Sequence, residues 1–196
     1  MSLFAIKMQF NKDLVLVSQS PRRKELMELM GVPFTVCTSN TPETLDQSLS
    51  IQEQIEAIAV EKALSVQDQY PNAILISADT VIVLDDEVLG KPLDDEDAFK
   101  MLKRLSGRQH TVITSVYVHS SIKTVLFSSV STVHFYPMSD QEIERYVMTK
   151  EPIGRSGSYS IMGGASIFVK SIQGDTNAIM GLPVAEVYQT LKNNEW

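Results

Sequence analysis

The chain has 196 residues, 43% of them hydrophobic and 21% charged, with a formal net charge of −7. That length supports one good-sized core, or at most two small domains, and the acidic balance argues against non-specific binding to nucleic acid or a membrane surface, which needs a basic face. A lone cysteine, Cys37, excludes an internal disulfide and a cysteine-rich zinc site; with no signal-peptide pattern in "MSLFAIKMQF" and no apolar run long enough to span a bilayer, a cytoplasmic protein is expected.

In chain order, Leu14–Ser18 reads as a buried strand. Ser20 and Pro21 then supply the N-cap and first-turn proline of a helix that buries Leu26, Leu29 and Met30 and stops at Gly31. Phe34–Cys37 is expected as a short strand, followed by a polar loop containing Glu43. Ser50 and Glu53 form a capping box opening a long helix, whose stripe is Ile51, Ile55, Ile58, Ala59, Ala63 and Val66. The segment "NAILISADTVIVLDDEVLG" predicts an apolar strand, an acidic break at Asp79, and a hairpin-like strand pair around Asp85 and Asp86. A helix over 94–106 packs through Ala98, Met101, Leu102 and Leu105 and ends at Gly107. "TVITSVYVH", "TVLFSS" and "STVHFY" read as three successive antiparallel strands. Ser139 and Glu142 make a second capping box, on a helix burying Ile143, Tyr146 and Val147; "SIFVKSI" is a further strand and "LPVAEVYQTLK" a final helix. No repeat or flexible linker interrupts the chain, so one domain over 1–196 is expected, an α/β fold around a mixed twisted sheet with flanking helices.

Some residues in this frame could carry chemistry. Ser18, Ser20, Arg22 and Arg23 sit where a strand gives way to a helix. Such a turn offers unpaired N–H groups and the positive end of a helix dipole to an anion, and arginine adds a planar fork for phosphate. The same turn could also be a capped helix with solvated arginines, although positive charge in a first turn opposes the dipole. Asp79 lies between two apolar runs, so its carboxylate is either a turn cap assisted by Thr80 or a group able to hold Mg²⁺ and deprotonate water. Lys91, between Gly90 and Pro92, could reach a phosphate or be a plain loop lysine; the segment lacks the P-loop pattern. Lys62 lies beside the apolar stripe of its helix, so it either snorkels, the reading that spacing favours, or faces a cleft. His110, His119 and His134 lack metal-ligand spacing and read as structural.

Taken together, three segments resemble the Maf family of nucleoside triphosphate pyrophosphatases, collinearly from Leu14 to about Lys192: "LVSQSPRRKELMELMGVPF", "SADTVIVLDDEVLGKPLDDEDAFKMLKRLSGRQHTVITSV" and "EPIGRSGSYSIMGGASIFVKSIQGDTNAIMGLPVAEVY". The resemblance implies hydrolysis of nucleoside triphosphates at the α–β bond, dependent on Mg²⁺ or Mn²⁺. It also implies a two-lobed α/β fold around a nucleotide cleft, and a homodimer. Carried over by position, Asp79 is the catalytic carboxylate and a metal ligand, and Glu43 helps hold the metal. Ser18, Ser20, Arg22, Arg23, Lys62 and Lys91 line the triphosphate site. Arg22, Thr80 and Met162 occupy the positions associated with substrate choice.

"SPRR" and "ADT" resemble the subgroup acting on dTTP and UTP. Where that subgroup reads "DKAGAYGIQG", this chain reads "GRSGSYSIMG", placing Gly154 and Arg155 for an Asp-Lys pair and Met162 for glutamine. Methionine cannot make glutamine's hydrogen bonds to a base, so relaxed or shifted base recognition accompanies the expected pyrimidine preference. The alternatives are a 7-methyl-GTP or broad-range pyrophosphatase, and a nucleotide-binding regulator of cell division with little turnover.

Overall fold

The computed structural model describes residues 11–41 and 46–196. Its first strand, β1 (Leu14–Val17), is buried along its whole length. Parallel neighbours flank it on both sides: β2 (Thr35–Cys37) and the eleven-residue β3 (Ile74–Leu84). A short antiparallel strand, β4 (Glu87–Leu89), folds back on β3, and β5 (Gln109–His119), β6 (Thr124–Phe135) and β7 (Val169–Gln173) follow. The result is a seven-stranded mixed sheet of order β2-β1-β3-β5-β6-β7, with β4 off this path. The helices are α1 (Pro21–Glu28), α2 (Ile51–Leu64), α3 (Asp95–Leu105), α4 (Asp140–Met148), α5 (Thr176–Ile179) and α6 (Val184–Asn193). Among the described residues no helix is long and apolar enough to cross a membrane.

The chain divides into two compact units, the first made of the described residues up to Asp79 with Thr114–Ser129 and Gly181–Trp196, the second of Thr80–Ile113 and Val130–Met180. In the first, side chains alternate along the strands so that Val15 and Val17 of β1 and Leu75 of β3 share one face. That face is covered by Ala59 and Ala63 of α2 together with Val66. The expected capping box starts α2: the Ser50 side chain accepts from the Glu53 N–H and the Glu53 carboxylate accepts from the Ser50 N–H. Helix α1 also starts as expected at Ser20 and Pro21, but its buried face is Leu26, Met27 and Met30, leaving Leu29 69% exposed. At about 100° per residue, those three fall in one arc and Leu29 lies outside it.

In the second unit, Leu84 of β3, Leu102 and Leu105 of α3, Phe135 of β6 and Ile143 of α4 are the fully buried centre. Asp85 and Asp86 join β3 to β4 with φ of 54° and 61°, the two left-handed residues that a tight two-residue hairpin turn requires. Three expectations are corrected. Asp79 does not break the sheet, because β3 runs through it without interruption. "TVLFSS" and "STVHF" are one strand, not two. The serines in its middle are satisfied in place: Ser128 Oγ reaches Glu56 Oε1 at 2.7 Å, and Ser131 Oγ accepts from the Asp175 N–H at 3.1 Å. Finally, the expected strand at "SIFVKSI" begins as a 3₁₀ turn over Gly164–Phe168 before becoming β7.

Candidate active site

Strands β1 and β3 are parallel, with Val17 opposite Ser77. Ser18 follows Val17 and Asp79 comes two residues after Ser77, so both lie just past the carboxyl end of the parallel β1–β3 pairing, Asp79 in the middle of β3. Such an edge of parallel pairing is the usual ligand position in these sheets. The alternation that puts Leu75 against α2 also puts Ser77 and Asp79 on that face. From the last turn of α2, Lys62 extends its Nζ to within 2.7 Å of Asp79 Oδ1, with the two side chains only 7% and 11% exposed. The favoured expectation of a snorkelling Lys62 is therefore corrected: the ammonium is buried in an ion pair. A cation suits the negative end of the α2 dipole, and removing Lys62 would leave the buried Asp79 carboxylate without its ammonium partner.

Ser77, a residue the sequence reading passed over, sets the height of this pair. Its hydroxyl donates to the Ala59 carbonyl at 2.5 Å, tying α2 to β3 one turn before Lys62 and two residues before Asp79. The available signal was a small hydroxyl inside the otherwise aliphatic "AILIS". Asp79 Oδ2 accepts no hydrogen bond among the described residues, so there only one of the two carboxylate oxygens is engaged, by Lys62.

The turn after β1 is built from its own side chains. Ser18 is buried; its N–H donates to the Cys37 carbonyl at 2.9 Å and its Oγ accepts from the Ser20 N–H at 3.1 Å. Ser20 caps α1 by accepting from the Arg23 N–H at 3.4 Å. The adjacent arginines are then used differently. Arg23 Nε donates to the Gly181 carbonyl at 2.9 Å, fastening α1 to the segment that leads into α6. Arg22 is half-buried, and its guanidinium makes no hydrogen bond or ion pair among the described residues.

Glu43, the second expected metal ligand, lies outside the described residues. Among the described residues no group of three or more His, Cys, Asp or Glu side chains could hold a metal by itself. One carboxylate with a free oxygen nevertheless fits Mg²⁺ or Mn²⁺, which prefer hard oxygen donors and complete their shells with water and substrate phosphates.

In the second unit, Thr80 is half-buried on β3 and Lys91 is exposed just after β4, where the Gly90 carbonyl accepts from the Gly157 N–H at 2.9 Å. Met162 is 66% exposed in a turn preceding the 3₁₀ segment. Gly154 adopts φ of +78°, and Arg155 Nε donates to the Glu151 carbonyl at 2.8 Å. His110 is buried with Nε2 2.8 Å from the Tyr159 hydroxyl and its ring edge-on to Phe135. Burial, aided by the neighbouring His134, pushes His110 down to about 4, so it is a neutral packing residue near pH 7.

A family model described as Maf-like protein matches residues 13–194. Over 181 residues the chain is 44% identical to the dTTP/UTP pyrophosphatase of Bacillus velezensis, covering 92% of this chain and 96% of the relative. It is 42% identical over 181 residues to the dTTP/UTP pyrophosphatase of Bacillus cytotoxicus, covering 92% and 95% respectively. The fold is similar to that of a HAM1 protein from Coxiella burnetii, with a TM-score of 0.51 at 12% identity over 93% of this chain and 100% of that one.

Proposed function

The chain belongs to the Maf-like protein family, and from that premise we propose that it is a nucleoside triphosphate pyrophosphatase that cleaves the α–β anhydride of dTTP and UTP. The observation that carries this reading is the buried Lys62–Asp79 pair just past the end of the parallel β1–β3 pairing, where the Ser18–Arg22 turn leaves β1. A water adds to one phosphorus of the anhydride as that phosphorus loses its bond to the bridging oxygen, giving a nucleoside monophosphate and pyrophosphate. Asp79 orients the water and accepts its proton through the oxygen that Lys62 leaves free. Lys62 holds the carboxylate in place through the buried 2.7 Å contact to Oδ1. Ser18, Ser20, Arg22 and Arg23 bind phosphate oxygens with Lys91, and Arg22 is the arginine with its fork available for this. A divalent Mg²⁺ or Mn²⁺ would be held by Asp79 and Glu43 and would supply neutralising charge for the phosphates and a more acidic water.

Base selection falls to Arg22, Thr80 and Met162 in this reading, and the enzyme works as a cytoplasmic homodimer. Met162 and the Gly154–Arg155 pair favour a second reading, a broader or 7-methyl-GTP-directed pyrophosphatase. A regulator without turnover would have no use for a buried carboxylate held in place by a lysine next to the phosphate-binding turn. Pyrophosphate release is the test, screened across canonical and modified nucleoside triphosphates with Mg²⁺ and with Mn²⁺. dTTP and UTP should turn over fastest; turnover of none of them would overturn the enzymatic reading.

A further inference from the structure

The turn that presents Met162 is pinned from beneath by one carboxylate. The Gly164 N–H donates to both oxygens of Glu151, at 3.1 and 3.0 Å. The Tyr146 hydroxyl donates to Glu151 Oε1 at 2.8 Å and itself accepts from the Ser160 N–H at 3.2 Å. Both ends of the 160–164 turn are thus bonded to Glu151, one directly and one through Tyr146, with Met162 midway between them. The remaining closure is local, the Gly163 N–H donating to the Ser160 carbonyl at 3.0 Å. The fit is tight: a Cβ on Gly163 would overlap the Glu151 carboxylate, with Cδ only 2.5 Å away. Glu151 is held in turn by Arg155, whose Nε donates to its backbone carbonyl at 2.8 Å. The two stretches that differ from the dTTP/UTP pattern, Gly154–Arg155 and Met162, therefore meet at a single residue.

We propose that Glu151 is a positioning residue for base recognition, fixing the height and direction of the Met162 turn and coupling it to Arg155. The inference rests on the reading that Met162 contacts the base. An anionic acceptor shared by two donors is well suited to the task, because charge-assisted bonds are short and directional. A turn that is otherwise 66% exposed at Met162 would lose its fixed position without them. Selectivity then depends on where the backbone holds residue 162 as well as on which side chain stands there.

The test compares kcat and KM for dTTP and GTP by pyrophosphate release, with Mg²⁺, in the unaltered chain, Glu151→Ala, Glu151→Gln and Met162→Gln, alongside amide exchange at Gly164. Glu151→Ala should lower the dTTP/GTP ratio of kcat/KM about tenfold, mainly through KM, the scale of losing one or two such bonds. The Gly164 amide should exchange about tenfold faster in the same variant. Glu151→Gln keeps an acceptor and should recover most of both effects. Should Glu151→Ala fail to fold, Tyr146→Phe removes only the hydroxyl bridge and should move the ratio in the same direction, by about threefold. A ratio that shifts with Met162→Gln but moves less than about twofold in the Glu151 and Tyr146 variants overturns the inference alone. A ratio indifferent to Met162→Gln removes the base-contact reading, and the inference falls with it.

Discussion

Replacing Lys62 with methionine removes the charge of the central pair while keeping most of the unbranched apolar stem. Lys62 and Asp79 are 7% and 11% exposed and 2.7 Å apart, so the substitution leaves a carboxylate in a dry site with no counter-charge. Breaking a buried pair in this way costs about 3–5 kcal/mol, which for a chain of this size lowers Tm by about 6–20 °C. Lys62→Met combined with Asp79→Leu removes both charges and should recover to within about 2 kcal/mol of the original, because buried pairs are often replaceable by packed apolar groups. The coupling between the two sites in a double-mutant cycle should exceed about 2 kcal/mol. The assay is urea and thermal unfolding followed by circular dichroism, in chelator, so that metal binding to Asp79 adds nothing. Two outcomes would refute the reasoning: a single variant that melts within about 1 °C of the original, or a double variant whose loss equals the sum of the singles.

Asp79→Asn should cut turnover about 10²- to 10⁴-fold, the usual contribution of a positioned base, while nucleotide still binds by calorimetry. Arg22→Lys keeps the charge but loses the fork; KM for dTTP should rise about tenfold with a smaller change in kcat. His110 provides a pH test. Its folded pKa, depressed to about 4 by burial and then by His134, lies below the ordinary 6.5, so the unfolded chain binds the proton more readily. Stability is therefore fully present above about pH 6.5 and is lost as pH falls toward 4, by up to about 3 kcal/mol. His110→Gln should flatten the stability profile across that window, and a profile of unchanged slope would place the acid sensitivity elsewhere.

Local signals were the legible part of this chain. Both capping boxes form as the serine–glutamate spacing implies, and the Asp85–Asp86 turn appears where two small polar residues separate apolar runs. The stripe of α2 was readable because Ile55, Ile58, Ala59 and Ala63 repeat at helical spacing, and all four are buried. The failures share a cause, which is that a partner distant in sequence changes what a residue needs. Asp79 looked like a strand break because its counter-ion lies 17 residues away on another element. The serines of β6 looked like a second break because Glu56 lies 72 residues from Ser128, and Asp175 lies 44 from Ser131. Lys62 seemed better placed to snorkel for the same reason. In the second unit, the hold of Glu151 on Gly164 spans only 13 residues but joins irregular backbone, for which hydrophobic periodicity has no signature.

The unbroken course of β3 also limits what kinds of sequence change the chain can absorb. Asp79 faces α2 only because it stands an even number of residues from Leu75 and Ser77. Deleting or inserting a single residue between positions 75 and 79 would turn Asp79 to the opposite face and bring Thr80 or Ala78 against Lys62. Every residue named in the site would survive in the sequence, yet the buried ammonium would have lost its carboxylate. Point substitutions along this strand can be graded by size and polarity, whereas a change of length reverses parity and has no mild form. Libraries that shuffle or splice related chains should therefore place their joins away from residues 74–84, the span of β3.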